Sequence, residues 1–402
     1  MQFCTAVVGA GVLALPHAVS VTGWLGGFVA LFCFLGITKL TTTLLAEVSL
    51  VNGVRQTTFG GAVFSILGKG YMTALTIVQM TFLPMAAIGY SVTAALVLRD
   101  FTGSYCEPGE TCMPMWQCAC IFGASQIIIS QFPNLDSLAW MSVVGALMSF
   151  GYSMVAVGLS ISIGAGAETS VGGVVLPPVD KMWAVFNALG LLASAYLFTL
   201  IQVEIFDTIK TDAKGPVWHI KRTVDMTLLC ITIFYIMVIV TGYIAFGDYA
   251  CGNIITCFKQ PQWVIRMVNM MVLIHMLPAY QVYSQPFFGF VARNAARWGK
   301  YPAVFQGLTF RLWFRTLYVL IVTVITVLIP FFSDIIGAVG AITFFPSVFF
   351  PIQMWKAVYQ PQGWKLHFLN GMNVVTLLVS IVALAGSIQL IVKDSDVYEI
   401  FG

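Results

Sequence analysis

The chain has 402 residues, of which 59% are apolar and only 9% are charged. A water-soluble protein carries roughly 25% charged residues, so the composition excludes a soluble enzyme, a nucleic-acid-binding protein and a disordered scaffold. The formal net charge of +3 is too small to indicate a polyanionic partner. We therefore expect most of the surface to face the lipid bilayer.

Apolar runs of about 20 residues, the length that crosses a bilayer core of about 30 Å, predict eleven membrane-spanning helices. They lie at about 3–24, 26–49, 72–98, 115–132, 138–165, 182–206, 223–246, 262–291, 310–330, 333–355 and 367–392. The fourth span is short, and only the glycines between Gly23 and Gly27 indicate the break between the first two. The predicted fold is an all-α integral membrane protein with one polytopic domain over 1–402.

The distribution of Lys and Arg predicts the orientation, because cytoplasmic loops carry an excess of these residues. With a cytoplasmic N-terminus, thirteen lie on the inner side, namely Arg55, Lys69, Lys210, Lys214, Lys221, Arg222, Arg293, Arg297, Lys300, Arg311, Arg315, Lys356 and Lys365. Four lie on the outer side, namely Arg99, Lys181, Lys259 and Lys393. We expect a plasma-membrane protein with a cytoplasmic N-terminus and an external C-terminus.

Four cysteines fall in predicted external loops, Cys106 and Cys112 in one and Cys251 and Cys257 in another. Disulfides persist in an oxidising external compartment, so these residues are candidates for external disulfide bonds. Four cysteines allow three pairings, and the sequence leaves the pairing open, with free thiols as the alternative.

Two spans contain interruptions that a spanning helix ordinarily avoids. The first has Gly9-Ala10-Gly11 followed by Pro16, and the sixth has the small-residue stretch from Gly190 to Ala195. Irregular backbone at membrane depth is tolerated where it lines a cavity, and paired interrupted helices point to the binding site of a transporter. The five-helix spacing predicts a five-plus-five inverted repeat, with repeats at about 1–165 and 182–355 and an extra helix at about 367–392. Close helix packing through small residues is the alternative.

Ionisable residues inside predicted spans are a second signal, because each costs several kcal/mol unless it is paired or hydrated. Glu204 lies near the inner end of the sixth span, with Asp207 three residues later on the same helix face. His275 lies midway along the eighth span, where an imidazole can exchange protons. The alternatives are that Glu204 pairs with Lys210 or reaches the interface, and that His275 donates to a backbone carbonyl.

The sequence contains no nucleophile elbow, no HExxH motif and no phosphate-binding loop. Its four histidines, His17, His219, His275 and His367, lie on different elements and lack metal-ligand spacing. We therefore predict that the protein is not an enzyme and that it binds no metal or cofactor other than a coupling ion.

Several stretches of the sequence are distinctive in their order. They include AVVGAGVLALPHAVSVTGW from Ala6, SQFPNLDSLAWMSVVGALMSFGYS from Ser130, VFNALGLLASAYLFTLIQVEIFDT from Val185, GYIAFGDYACGNIITCF from Gly242 and HMLPAYQVYSQPFF from His275. Together they closely resemble the plant-type amino acid permeases of the amino acid/auxin permease family. The resemblance extends from Ala6 to about Trp364.

This resemblance implies an eleven-span, proton-coupled amino acid symporter with an inverted-repeat architecture. Gly9 and Gly11 match the first-helix break of that family, Ala193 to Tyr196 match its sixth-helix segment, and Glu204 and Asp207 match the acidic pair of its EIxDT motif.

The sequence also departs from the family pattern. Leu191 and Phe206 stand where these permeases usually carry polar residues, Arg266 replaces a usual acid, and the outer Cys251 and Cys257 are atypical. These departures leave the substrate range open.

A zwitterionic amino acid at mid-membrane needs donors for its carboxylate and acceptors for its ammonium. The helix start after Gly11 would offer backbone N–H groups to the carboxylate, and the carbonyls around Gly9 and between Ala193 and Tyr196 would accept from the ammonium. The predicted substrate-binding residues are Val8, Gly9, Ala10, Gly11, Val12, Ala193, Ser194, Ala195 and Tyr196. The candidates for proton coupling are Glu204, His275 and Asp207.

The sequence therefore predicts proton-coupled import of amino acids by alternating access, with an amino acid and the lipid bilayer as partners and no nucleic acid. Two alternatives stay open. One is a sodium-coupled or auxin-type carrier on the same fold, since carbonyls and hydroxyls also suit a sodium ion. The other is an amino acid sensor that does not transport.

Overall fold

Helices account for nearly all of the described structure. The computed structural model describes residues 10–51, 54–55, 58–103, 113–132, 139–196, 202–207, 215–298 and 307–399. The α-helices are α1 (Leu15–Val48), α2 (Phe59–Leu67), α3 (Lys69–Gly103), α4 (Met115–Ile129), α5 (Ala139–Ile163), α6 (Pro178–Ser194), α7 (Gln202–Asp207), α8 (Pro216–Phe246), α9 (Ile254–Cys257), α10 (Gln262–Trp298), α11 (Leu308–Leu328), α12 (Phe332–Tyr359) and α13 (Trp364–Ser395). Two 3₁₀ helices, Ala10–Ala14 and Gly247–Tyr249, precede α1 and follow α8.

The described β-structure is one short antiparallel pair. The strands β1 (Leu50–Val51) and β2 (Val54–Arg55) follow α1, and Leu50 pairs with Arg55. This pair of two-residue strands is too short to hold a core. The prediction of an all-α membrane fold is confirmed.

Eight helices in the described ranges are long and apolar enough to cross a membrane. The other three predicted spans correspond to shorter or interrupted elements. The first two spans are joined within α1, the fourth is the 15-residue α4, and the sixth is divided between the 17-residue α6 and the 6-residue α7. Each predicted apolar run therefore has a helical counterpart.

The break between the first two spans lies at Gly23, inside α1. Gly23 has φ 73° and ψ 174°, a backbone conformation that side chains with a Cβ rarely adopt. A Cβ at this position would also lie 2.1 Å from the carbonyl oxygen of Val171. Glycine is required here for both reasons. The predicted break between the first two spans is therefore confirmed, and it lies at Gly23, the first of the glycines in this region.

The chain divides into two compact units, each assembled from separated segments. Unit 1 contains Met1–Gln79, Ile163–Gly252 and Ile336–Leu390, and unit 2 contains Met80–Ser162, Asn253–Ile335 and Ile391–Gly402.

In unit 1, α1 packs against α6 and α8, and aromatic side chains join the helices. The ring of Trp24 lies 4.7 Å from that of Tyr243, and the ring of Phe34 lies 4.8 Å from that of Phe344. These aromatic contacts place α8 and α12 beside the part of α1 that follows Gly23.

In unit 2, α4 packs closely against α11, since a Cβ at Gly123 would lie 2.3 Å from Thr323 Oγ1. A buried amide network joins α4 to α10. Gln281 Nε2 donates to Gln126 Oε1 at 2.7 Å and to Ser130 Oγ at 2.9 Å. These polar groups are satisfied inside the helix bundle, as groups excluded from water must be.

Candidate functional site

The first membrane segment begins irregularly. Ala10–Ala14 forms a 3₁₀ helix that leads into α1 at Leu15, and Pro16 lies in the first turn of α1. Proline has no N–H group, and a first-turn N–H has no partner within its own helix in any case, so Pro16 favours a helix start at this point. Val8 and Gly9 lie outside the described residues, and the position of the Ala10 side chain is also outside them.

The first helix of the sixth span, α6, ends at Ser194. The sequence pointed to the stretch from Gly190 to Ala195, and the structure places the end of the helix at the C-terminal edge of that stretch. Gly190 itself is helical and serves close packing, because a Cβ there would lie 2.3 Å from the carbonyl oxygen of Gly337. Gly190 therefore fits the packing alternative, while the interruption begins after Ser194.

Three carbonyls at the end of α6 accept hydrogen bonds. The hydroxyl of Ser194 donates to Leu191 O at 2.7 Å, and the N–H of Tyr196 donates to Ala193 O at 3.2 Å. The hydroxyl of Tyr235, on α8, donates to Ala195 O at 2.7 Å. The polar backbone groups exposed by the end of the helix are thus partly satisfied by side chains.

The two irregular segments meet inside unit 1. A Cβ built on Gly11 would lie 3.3 Å from Ser194 Oγ. The backbone of the first segment therefore faces the last residue of α6 so closely that a side chain at Gly11 would require Ser194 to shift by a few tenths of an ångström. Of the predicted substrate-binding residues, the structure brings Gly11 of the first segment next to Ser194 of the sixth.

The second half of the sixth span is anchored by a residue that the sequence did not single out. Gln202 opens α7, is fully buried, and donates from Nε2 to Thr42 Oγ1 on α1 at 2.9 Å. Glu204 and Asp207 follow on α7, but their side chains lie outside the described part of the structure. Lys210 lies outside it as well, so the proton-coupling role of Glu204 and its pairing with Lys210 both stay predictions.

His275 lies on α10 within unit 2 and contacts α5. Its Nδ1 lies 2.8 Å from the carbonyl oxygen of Gly145, and its ring meets that of Tyr152 edge-on with 5.8 Å between centroids. A carbonyl only accepts, so Nδ1 carries the hydrogen and Nε2 keeps a lone pair. Nε2 is buried and has no hydrogen-bond partner in the described structure. The bond to Gly145 matches the structural alternative, and the lone pair of Nε2 is the group that proton exchange would use.

The side chain of Lys181 stabilises the break in α1 at Gly23. Its Nζ donates to the carbonyls of Val21 and Val174 at 2.6 Å each and to that of Gly172 at 3.0 Å. Partial burial lowers the pKa of Lys181 from its usual value, and the nearby carboxylate of Asp248 opposes this shift. A cation suits this position because carbonyls at the end of a helical segment carry partial negative charge.

The cysteines predicted to be external are partly described. Cys251 and Cys257 are both disulfide-bonded, while Cys106 and Cys112 lie outside the described residues. The residue before Cys251, Ala250, accepts a 2.8 Å hydrogen bond from Nδ1 of His17 on α1. This contact ties the cysteine-containing segment to the helix that follows the first irregular segment.

A metal site is not formed within the described ranges, where no three His, Cys, Asp or Glu side chains cluster. Leu191 and Phe206, which depart from the family pattern, are both buried apolar residues. Their effect on substrate range stays open.

An all-helical chain with eight helices long and apolar enough to cross a membrane, in which the 3₁₀ start of the first span meets the end of α6, has an architecture that fits a membrane transporter. The chain belongs to the family of transmembrane amino acid transporter proteins, whose sequence pattern matches residues 1–392. It is 35% identical to amino acid permease 3 of Arabidopsis thaliana over an alignment of 433 residues, which covers 99% of this chain and 90% of the relative.

Other relatives give the same result. Amino acid permease 2 of Arabidopsis thaliana is 32% identical over 99% of this chain and 87% of its own length. Lysine histidine transporter-like 6 of the same plant is 29% identical over 99% of this chain and 91% of its own length. The resemblance noted in the sequence is confirmed, and the protein is a membrane transporter and not an enzyme, as predicted.

Proposed function

We propose that this protein imports amino acids into the cytoplasm by proton-coupled symport, with alternating access to the two sides of the membrane. The observation that carries the proposal is the meeting of Gly11 with Ser194, where two interrupted spans bring backbone groups together. In a member of this family, such a junction is the expected position for a small zwitterion.

The backbone at this junction suits both ends of an amino acid. The N–H groups at the beginning of α1 and its positive dipole end favour a carboxylate. Among the carbonyls at the end of α6, that of Ala195 accepts a hydrogen bond from the Tyr235 hydroxyl. A carbonyl oxygen has two lone pairs, so the Ala195 carbonyl can accept a second bond from the ammonium group while its first bond holds it in place.

We assign proton coupling to Glu204, with Asp207 and His275 as further candidates. Glu204 lies on α7, directly after the interruption of the sixth span, where a carboxyl group can gain and lose a proton as the site changes access. His275 offers an unpartnered Nε2 within unit 2. A coupling proton requires no cofactor, and none is included in this proposal.

The composition of the two units supports the proposed inverted repeat. Predicted spans one, two, six and seven lie mainly in unit 1, and spans three, four, eight and nine lie mainly in unit 2. In four of the five pairs of equivalent helices, both members therefore belong to the same unit, whereas span five lies in unit 2 and span ten in unit 1. The proposal retains the repeats at about 1–165 and 182–355, the extra helix, the cytoplasmic N-terminus, the external C-terminus and the plasma-membrane location.

Uptake of labelled amino acids into proteoliposomes tests this function. We expect accumulation when a proton gradient is imposed and none when a sodium gradient replaces it. Sodium-driven accumulation would favour the sodium-coupled carrier, and binding without uptake would favour a sensor. The His275→Ala variant is the companion measurement, in which loss of proton dependence with normal insertion would assign His275 to coupling.

A further inference from the structure

Two residues of α8, Thr232 and Tyr235, contact the chain where α6 ends. The Tyr235 hydroxyl donates to Ala195 O at 2.7 Å, and the Tyr196 hydroxyl lies 3.3 Å from Thr232 Oγ1. The rings of Tyr196 and Tyr235 meet at 69° with 5.6 Å between centroids. We call Tyr196, Thr232 and Tyr235 the tyrosine clamp.

The tyrosine clamp is formed on one helix face and is buried. Thr232 and Tyr235 are three residues apart, so both side chains point in the same direction from α8. Tyr235 is 0% exposed, Tyr196 is 3% exposed and Thr232 is 5% exposed. Water cannot replace a lost hydrogen-bond partner at such a site. A hydrogen bond here therefore holds the backbone in one orientation more strongly than a hydrogen bond at the surface would.

The position of the bonded carbonyl links the tyrosine clamp to the candidate site. Ala195 is the first residue after α6, and the preceding Ser194 is the residue that faces Gly11. Turning the peptide group that carries the Ala195 carbonyl would also move Tyr196, since this rigid plane joins those two residues. The bond from Tyr235 therefore sets the direction in which the backbone at the end of α6 leaves the helix.

We propose that Tyr235 and Thr232 are positioning residues that hold the carbonyls at the end of α6 in the orientation that binds the ammonium group of the transported amino acid. This inference rests on the proposed function. Neither side chain touches the substrate in this scheme. Tyr235 occupies one lone pair of the Ala195 carbonyl and leaves the other for the ligand, and Thr232 fixes Tyr196 so that its ring supports Tyr235.

The matched pair of variants Tyr235→Phe and Tyr243→Phe tests the proposal. Both tyrosines lie on α8 and are 0% exposed, and each hydroxyl is hydrogen-bonded. The hydroxyl of Tyr243 instead contacts Asp248 and Ser170, at the far end of the helix. Both substitutions keep the ring and remove one hydrogen-bonded hydroxyl, and Tyr243→Phe breaks more of the hydrogen bonds described, so it is a stringent control for a general loss of stability.

We expect Tyr235→Phe to raise the apparent KM for every transported amino acid about five- to tenfold, because one net hydrogen bond orients the binding groups. The maximal rate per inserted molecule should change much less, and Tyr243→Phe should leave KM within about twofold of the original. An unchanged KM in Tyr235→Phe, or an equal rise in Tyr243→Phe, would overturn the assignment.

The Thr232→Ser and Thr232→Val variants provide the second measurement, and they decide the matter if Tyr235→Phe does not insert. Serine keeps the hydroxyl that pairs with Tyr196, whereas valine keeps the shape and removes it. We expect a raised KM in Thr232→Val and a normal KM in Thr232→Ser, and equal KM values in the two variants would refute the proposal. A failure of the proposed function is distinguishable, because the unmodified protein would then show no gradient-driven uptake.

Discussion

Enlarging Gly11 tests the meeting of the two interrupted spans. A methyl group at Gly11 would lie 3.3 Å from Ser194 Oγ, closer than carbon and oxygen normally pack. Ser194 can withdraw only by weakening its 2.7 Å bond to Leu191 O, which is worth about 1 kcal/mol. Gly11→Ala should therefore weaken the apparent affinity about fivefold. The loss should be equal for all substrates, because every amino acid presents the same carboxylate.

Valine at Gly11 adds two more methyl groups in the same gap. Overpacking of this kind costs about 1–3 kcal/mol and leaves no space for a ligand at the backbone, so we expect Gly11→Val to abolish transport while the protein still reaches the membrane. Uptake in proteoliposomes and surface expression would be measured together. Gly36→Val is the control, since Gly36 lies in α1 and a Cβ there meets nothing within 4 Å.

Normal uptake by a well-expressed Gly11→Val protein would refute both the junction and the site placed on it. A protein that fails to insert would point instead to a packing role for Gly11. The control separates these results, because Gly36→Val should insert and transport normally.

Three further predictions follow from the charged residues. Glu204→Gln should insert normally and lose the dependence of uptake on the proton gradient, and an unchanged dependence would return Glu204 to a structural role. In intact cells, an impermeant thiol reagent should label a single cysteine placed at Lys259 but not one placed at Lys300, and the reverse would contradict the orientation. Glu47→Ala should lower the unfolding temperature, because its carboxylate accepts 2.6 Å bonds from Lys221 and Trp355 and charged hydrogen bonds are worth about 1.5–3 kcal/mol. Asp225→Asn, which breaks an exposed 3.3 Å pair with Lys39, should change it much less.

Most of the fold could be predicted because membrane spans obey one strong rule. Each span must satisfy its backbone internally and present apolar side chains for about 20 residues, and eight helices of the described ranges meet that condition. The break in α1 at Gly23 could be predicted from the glycines around it, since glycine readily adopts the φ of 73° found there. The division of the sixth span could be located only to within a few residues, because Gly190 serves packing against Gly337, which is distant in sequence.

The side chains that support the candidate site could not be predicted in the same way. Tyr235 and Thr232 look like ordinary residues of an apolar span, and nothing local connects them to Ala195 and Tyr196, about 40 residues earlier. The sequence gives no sign of the role of Gln202 either, although its side-chain amide joins α7 to Thr42 on α1. Sequence patterns report which residues must avoid water, whereas these hydrogen bonds depend on which helices become neighbours.

The break in α1 at Gly23 also has a consequence for the synthesis and membrane insertion of the chain. Its backbone groups are satisfied from a distant part of the chain. Ser20 O accepts from Val174 N, Val21 O accepts from Lys181 Nζ, and the N–H groups after Gly23 donate to the carbonyls of residues 170 and 171. A ribosome adding about 5–20 residues per second needs many seconds to reach this segment. During that interval the first two spans must reside in the membrane, or beside an insertion factor, with these backbone groups bonded to water or to other temporary partners.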